Sequence, residues 1–148
     1  MSKKKAINVL MVTGVYFPEV NGAAFQCMRI ISALKVCCGF SVLTTTKHKY
    51  LVRQNVVDGI DVFRSYIGNR GAKLLQIVDI FSVFFTRRFD IVHLHGFSSR
   101  SALIVLISKL FNKKVIIKMT SFGHDDAISI KNKSRLFFYI FSMADAYI

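Results

Sequence analysis

Short β-rich segments alternate with longer amphipathic segments along the chain, and this alternation constrains the fold more than any other feature of the sequence. The predicted strands lie at residues 7–13, 40–46, 59–65, 90–95 and 115–120, with a further strand opening at 145–148. The predicted helices lie between Gly22 and Gly39, which ends the first of them, and at residues 73–88, 99–111 and 134–143. Such alternation is typical of a parallel sheet covered by helices. The sequence therefore predicts an α/β fold with a parallel sheet and helices on both faces.

Polar residues mark one side of two of these helices. They are Gln26, Arg29, Ser32 and Lys35 in the first, and Lys73, Gln76, Asp79 and Ser82 in the second. Spacings of three and four residues place each set on one side of its helix. We expect these sides to face solvent.

The chain has 148 residues, of which 53% are hydrophobic and 14 are Phe, so one domain with a substantial core is expected. Charged residues interrupt the most apolar stretches, and no run reaches the roughly 20 residues that a membrane-spanning helix needs. Lysines at 3–5, an apolar stretch at 6–17 and small residues at 22–24 imitate a secretory signal. A first β-strand explains that pattern as well, and we expect a soluble or membrane-peripheral protein.

The three cysteines indicate the cellular compartment, and the positive net charge indicates the class of ligand. Cys27, Cys37 and Cys38 have neither Cys-x-x-Cys spacing nor His partners at zinc spacing, which favours a reduced, cytoplasmic protein. The net charge of +13 suits phosphate-bearing ligands or an anionic membrane. Because the basic residues are scattered rather than interleaved with aromatic residues in one stretch, we expect no nucleic-acid partner.

Ligands of an open α/β sheet bind at the carboxyl ends of its strands, so the loop after the first strand is one candidate site. Residues 14–24 end in small residues, including Asn21, Gly22 and Ala23, where a helix begins. Backbone amides and the helix dipole at such a point suit a diphosphate. Neither Gly-x-Gly-x-x-Gly nor a P-loop pattern is present. A plain turn and helix start is the alternative interpretation.

Two histidines close the fourth predicted strand. His93 and His95 lie two residues apart, so they share one face of the strand, and Gly96 follows them. A zinc pair is disfavoured because no third ligand stands at suitable spacing, and we expect no metal. His95 either contacts a bound sugar at the strand end or is a packed, hydrogen-bonded core residue.

The loop at residues 118–126 is the densest polar cluster of the chain. It contains Lys118, Thr120, Ser121, His124, Asp125 and Asp126. A ligand-binding loop and a hydrogen-bonded loop with an Asp cap both account for it.

The order of four motifs resembles family-4 glycosyltransferases of the GT-B fold over essentially all 148 residues. The motifs are Phe-Pro-x-x-Asn-Gly-Ala-Ala at 17–24, Asp-Ile-Val-His-Leu-His-Gly at 90–96, Lys-Val-Ile-Ile-Lys-Met-Thr-Ser-Phe-Gly at 114–123 and Ala-Asp-Ala-Tyr-Ile at 144–148. The resemblance implies a Rossmann-like N-terminal, acceptor-side domain spanning residues 1–148. It also implies a hexosyltransferase-type enzyme that retains stereochemistry and uses a nucleotide-sugar donor without metal or other cofactor.

The same resemblance implies roles for particular residues. Asn21, Gly22 and Ala23 would bind the donor phosphates, and Lys118, Ser121 and His95 would bind a glycan or lipid-linked acceptor. His124 and His95 would be the catalytic residues. Many relatives have a histidine directly before the glycine of the third loop, and here that position is Phe122.

Two features of the family do not occur within these 148 residues. The family's Glu-x₇-Glu signature and donor-binding C-terminal domain are absent, and the last strand is cut short. We therefore expect a truncated fragment that is inactive alone, with the donor-binding domain supplied in cis or in trans. The expected setting is surface polysaccharide assembly in the cytoplasm, at the inner face of the membrane. The alternative is a non-catalytic or split-enzyme subunit of the same fold that recruits a separate donor-binding partner.

Overall fold

The alternating segments form one seven-stranded sheet in the computed structural model, which describes residues 7–68, 71–119 and 127–148. In chain order the elements are β1 (Ile7–Val12), α1 (Gly22–Leu34), β2 (Cys38–Thr46), β3 (Gln54–Val57), β4 (Ile60–Tyr66), α2 (Ala72–Thr86), β5 (Ile91–His95), α3 (Ser99–Leu110), β6 (Lys114–Lys118), α4 (Ala127–Lys133), α5 (Arg135–Phe141) and β7 (Ala146–Tyr147). The predicted α/β fold is confirmed.

The strand order is β3-β4-β2-β1-β5-β6-β7, and every neighbouring pair is parallel except β3 with β4. β1 lies in the centre, where Val9 pairs with Phe40 of β2 on one side and with Ile91 of β5 on the other. The Asn8 amide donates to the Asp90 carboxylate at 3.0 Å, and the Asp90 amide donates to the Asn8 carbonyl at 2.8 Å. These bonds set where β5 begins beside β1.

Helices cover both faces of the sheet, as predicted. On one side, which we call the α2 face, Leu10, Leu94 and their neighbours pack against α2, α3, α4 and α5. On the other, the α1 face, Val9 and Met11 pack against α1. Alternate residues of each strand point to opposite faces, so one strand serves both cores.

β3 is a strand that the sequence analysis missed. It pairs antiparallel with β4 through a two-residue connection, Asp58 and Gly59, whose φ angles are 50° and 79°. Two positive φ values in a row are characteristic of the tight hairpin turn that favours Asp-Gly. The dipeptide was therefore the sequence feature that indicates this hairpin.

Gly39 does not end the first helix, and that prediction is wrong. α1 ends at Leu34, and Gly39 is the second residue of β2. A Cβ atom at Gly39 would collide with the side chain of Asn8 on β1. The glycine leaves room for the Asn8 side chain in the β1–β2 pairing and does not mark a helix terminus.

The end of the chain contains one unpredicted helix and one predicted strand. α4 begins at Ala127, within a segment expected to be loop. β7 pairs parallel with β6, which confirms the strand predicted at 145–148. Asp145 just before it accepts from the Val115 amide at 2.8 Å and pairs with Lys109, which holds the pKa of this carboxyl well below its usual range.

The polar residues of α1 face solvent as predicted, but those of α2 do so only in part. Gln26, Arg29, Ser32 and Lys35 are all exposed. In α2, Gln76 and Asp79 are half-buried, while Leu74 and Val78 are 71% and 62% exposed. The half-buried Asp79 pairs with Arg53 from the connection before β3. None of the helices in the described ranges is long and apolar enough to cross a membrane.

Candidate functional site

A cavity of about 390 Å³ opens at the carboxyl ends of the central strands. Its walls come from the end of β1 at Thr13 and Gly14, from the end of β5 at His95 and Gly96, and from the first turn of α3. Gln76 of α2 completes one side. This is the edge at which ligands of open α/β sheets bind.

The first turn of α3 presents main-chain donors to this cavity. Ser98 caps the helix by accepting from the Ser101 amide at 3.0 Å, and the Ser101 hydroxyl donates to the Gly96 carbonyl at 3.1 Å. The amides of Ser99 and Arg100 have no intrahelical acceptor at this position in a helix. No acidic side chain lies in the turn. The helix dipole therefore favours an anion here.

Arg100 adds a positive charge to the same wall, and the sequence analysis missed it. Its guanidinium donates to the Thr13 and Thr44 carbonyls at 3.3 Å each, while its buried Nε has no partner in the part of the chain that the structure describes. Burial lowers the pKa of Arg100 to about 10, and the nearby charge of Asp79 opposes that shift. No carboxylate of the described residues forms an ion pair with Arg100, because Asp79 pairs with Arg53. A basic residue in the first turn of a predicted helix interacts unfavourably with the helix dipole. This feature of the sequence could have identified Arg100 as unusual.

His93 and His95 lie together on the α1 face of β5, as their spacing predicted. They are 6% and 9% exposed, and their rings stack with centroids 4.8 Å apart. Burial lowers both pKa values to about 4, with further lowering by Lys118 and, for His95, by His93. Both imidazoles are therefore neutral at pH 7. Both ring nitrogens of His95 are buried and have no hydrogen-bond partner among the described residues.

Lys118 lies beside this pair. It is the register partner of His95 in the β5–β6 pairing, and the Gly96 amide donates to its carbonyl at 3.0 Å. The structure thus brings together the Lys118 and His95 that the sequence analysis singled out. In the described ranges no three His, Cys, Asp or Glu side chains are placed to hold a metal ion.

The start of α1 is the second helix terminus at this edge. Asn21 caps it by accepting from the Ala24 amide at 2.9 Å. The first two amides of the helix, those of Gly22 and Ala23, have no intrahelical acceptor. A Cβ atom at Gly22 would meet nothing within 4 Å, so packing does not require the glycine. The helix start is confirmed, and the phosphate-binding role of these residues stays a prediction.

Two predicted site residues, Ser121 and His124, lie outside the described residues, together with the rest of the polar loop from 120 to 126. Their predicted roles stay predictions. Of the third motif, the described part is β6 and Met119.

Solved structures show which known fold this is. No protein-family model matches the sequence, and no curated protein matches it. A sucrose-phosphate synthase from Thermosynechococcus elongatus superposes with a TM-score of 0.68 at 11% identity, over 95% of this chain and 41% of that one. A putative UDP-N-acetylglucosamine 2-epimerase from Listeria monocytogenes gives 0.65 at 16% identity, over 98% and 39%. The chain has the fold of a GT-B N-terminal half.

A third similar structure is the trehalose-6-phosphate structure from E. coli bound with UDP-2-fluoro glucose. It gives a TM-score of 0.58 at 10% identity, over 95% of this chain and 39% of that one. The chain thus spans about two fifths of the length of the proteins that it resembles. At these identities the likeness establishes the Rossmann-like GT-B architecture alone.

Proposed function

We propose that the chain is the N-terminal, acceptor-side domain of a retaining glycosyltransferase of the family-4 type. In this proposal the complete enzyme transfers a hexose from a nucleotide-sugar donor to a glycan or lipid-linked acceptor during surface polysaccharide assembly. The proposal rests on one observation. Two capped helix starts, those of α1 and α3, lie at the same edge of a GT-B sheet as Arg100 and Lys118. Such an edge offers amides and cations to phosphate and hydroxyl groups.

Donor binding is assigned to the start of α1. The amides of Gly22 and Ala23 would donate to the diphosphate, and Asn21 would keep the helix start in place through its cap. Because main-chain amides serve the phosphates, the proposal includes no metal and no other cofactor.

Acceptor binding and catalysis are assigned to the β5 and β6 ends and the polar loop. Lys118 and Ser121 would bind acceptor hydroxyl or anionic groups, while His95 would contact the sugar that is transferred. Since the imidazole of His95 is neutral at pH 7 and has two unpartnered nitrogens, it has one donor and one acceptor to offer. His124 is the second proposed catalytic residue.

Catalysis would require the other half of the enzyme. A GT-B cleft holds donor and acceptor between two domains, and orientation of that kind contributes on the order of 7–11 kcal/mol to lowering a barrier. We therefore propose that this chain transfers no sugar alone and acts with a donor-binding domain in cis or in trans. The proposed location is the cytoplasmic surface of the membrane, where a lipid-linked acceptor resides.

The test is a transfer assay with the chain joined to a donor-binding domain of a relative, using a panel of nucleotide sugars and lipid-linked acceptors. Gly22→Val should abolish transfer, because the added side chain fills the space in which a phosphate would approach the amides. Gly71→Val is the matched control. Gly71 also stands at a helix start with nothing within 4 Å of a built Cβ atom, so its variant should remain active.

Three outcomes would reject parts of this proposal. Transfer by Gly22→Val within about threefold of the parent protein removes the phosphate role, because threefold corresponds to less than about 1 kcal/mol. Turnover by the 148-residue chain alone, as a monomer, rejects the half-enzyme assignment. If the joined protein binds donor but never transfers, the non-catalytic recruiting subunit becomes the better account.

A further inference from the structure

The solvent side of α2 carries a continuous apolar stripe. Leu74, Val78 and Phe85 are 71%, 62% and 73% exposed, and the half-buried Phe81 stacks on Phe85 with ring centroids 6.3 Å apart. Their spacings of four, three and four residues place all four on one side of the helix. An ordinary surface helix shows the reverse pattern, with its apolar side inward.

The stripe continues across the end of α3. The Phe111 ring meets Phe85 edge-on at 5.1 Å between centroids, and the neighbouring Leu110 is 81% exposed. We call Leu74, Val78, Phe81, Phe85, Leu110 and Phe111 together the outer stripe. Contiguous apolar surface of this kind marks an interaction site more often than single exposed residues do.

Unpaired positive charge lies near both ends of α2. Residues 72–114 contain seven Lys or Arg and two Asp. Four of the seven are engaged elsewhere, since Arg87 pairs with Asp61, Lys109 and Lys114 pair with Asp145, and Arg100 is buried in the cavity wall. Both acidic residues are engaged: Asp79 pairs with Arg53, and Asp90 accepts from the Asn8 amide. Lys73 near one end of α2 and Arg88 beyond the other end are exposed and form no ion pair with described residues.

We propose that the outer stripe docks the protein on a bilayer that contains anionic lipid. Its apolar side chains enter the boundary between headgroups and acyl chains, while Lys73 and Arg88 contact lipid phosphates. A helix that combines an apolar side with flanking lysine and arginine binds membranes in this way.

A second copy of this chain fits the outer stripe less well. The chain carries a net charge of +13, and a symmetric contact through α2 would bring the exposed cations of both copies close together. Like charges at an interface oppose association. A surface of anionic phosphates instead complements the same cations.

The docked orientation keeps the proposed site close to membrane-bound acceptor. α2 begins at the carboxyl edge of the sheet, and Gln76 of the same helix lines the cavity there. Gln76 lies about 200° around the helix from Leu74, so the cavity and a bilayer docked on the stripe lie on opposite sides of α2, one helix width apart near its start. This last step rests on the proposed function, whereas docking itself does not require that the protein transfers sugar.

Co-sedimentation of the full chain with lipid vesicles tests the docking. The vesicles are phosphatidylcholine alone or phosphatidylcholine with phosphatidylglycerol, and neither donor nor acceptor is present. We expect binding to the mixed vesicles that weakens as salt rises. The triple variant Leu74→Ser, Val78→Ser, Phe85→Ser should bind at least about tenfold more weakly. Lys73→Gln with Arg88→Gln should bind more weakly as well.

The matched control replaces exposed apolar residues elsewhere, namely Val36→Ser, Val56→Ser and Leu136→Ser, which are 94%, 63% and 65% exposed in the parent. It should bind as the parent does. Equal binding by the stripe variant, loss confined to the control, or equal binding to neutral vesicles would each overturn the proposal. So would a stripe variant that changes only the oligomeric state in light scattering. Since no sugar chemistry is involved, failure here is distinct from failure of the transfer assay.

Discussion

The two faces of strand β5 bury side chains of different chemical character. On the α2 face, Val92 and Leu94 are fully buried within a cluster of hydrocarbon side chains. On the α1 face, the alternate positions are His93 and His95, which are buried but ionisable. One strand of five residues thus supplies a purely apolar core on one side and a titratable pair on the other.

The contrast extends beyond β5. The α1 face also buries Tyr16 and Cys27, and burial is the main cause that raises the pKa of each to about 12. The α2 face is built from residues such as Ile104 and Phe84, which have no protonation state to change. Burial on the α2 face therefore contributes stability that changes little with pH, whereas burial on the α1 face makes stability depend on pH. This difference also places the proposed chemistry where ionisable groups are already desolvated.

Truncation of the α2-face core should have the largest effect. Ile104 is fully buried in α3, so Ile104→Ala removes packed atoms and leaves a cavity. We expect a loss of about 3 kcal/mol in the free energy of unfolding, the same at pH 7 and pH 5.5. Urea denaturation at both pH values measures it. If the loss at pH 5.5 differed strongly from the loss at pH 7, the α2 face would not be the pH-independent part of the core.

Acidification should have the next largest effect, through the α1 face. The folded pKa values of His93 and His95 are about 4, and the ordinary value is 6.5, so the unfolded state binds more protons between these limits. Stability is therefore full above about pH 6.5 and falls as the pH drops toward 4. Each imidazole accounts for about 1.2 kcal/mol between pH 7 and pH 5.5, so we expect a loss of about 2.5 kcal/mol for the pair over that range.

Thermal unfolding followed by circular dichroism across this pH range tests the prediction. The double variant His93→Gln, His95→Gln should have a lower Tm at pH 7 and a flatter profile from pH 7 to pH 5. An unchanged slope in the double variant would assign the pH dependence to other groups. Protonation of Asp145 does not contribute to this pH dependence, because the lowered pKa of its carboxyl confines its effect on stability to more acidic pH.

Truncation on the outside of α2 should have the smallest effect. Leu74→Ala removes a side chain that is 71% exposed, so little buried surface is lost. We expect a change within about 0.5 kcal/mol in the free energy of unfolding, measured by the same urea titration as Ile104→Ala. A loss close to that of Ile104→Ala would mean that the outer stripe is already packed against something in solution.

The sequence was a good guide to strands and a poor one to helix orientation. Six strands were found because each apolar run alternates or is continuously buried, as Leu10 and Met11 are. α2 misled because its apolar residues nearly surround the helix, so periodicity did not decide which side packs. In the structure the side that packs carries Ile80, Val83 and Phe84. The half-buried Asp79 beside them pairs with Arg53 from a distant connection. Tertiary contacts of this kind are not visible in a local pattern.

The candidate site was predictable in one part and not in another. His95 and Lys118 were found because each stands at the carboxyl end of a strand, where chemistry gathers in this class of fold. Arg100 was missed because it is an isolated basic residue in a helical segment, and only its burial against the Thr13 and Thr44 carbonyls distinguishes it. Isolated charges on helices are usually solvated, so sequence reasoning gave it no weight.

The central position of β1 has a consequence for the order of events during synthesis. The Asn8 amide bonds to Asp90, 82 residues later, so one side of β1 stays unpaired until β5 has been made. At about 5–20 residues per second, translation takes about 4–16 s to cover that distance. In the last part of that interval, once β4 has been made, the nascent chain holds β1, β2, β4 and β3 with an open apolar strand edge at β1. We expect this edge to be a binding site for chaperones on the ribosome, closed by the arrival of Ile91.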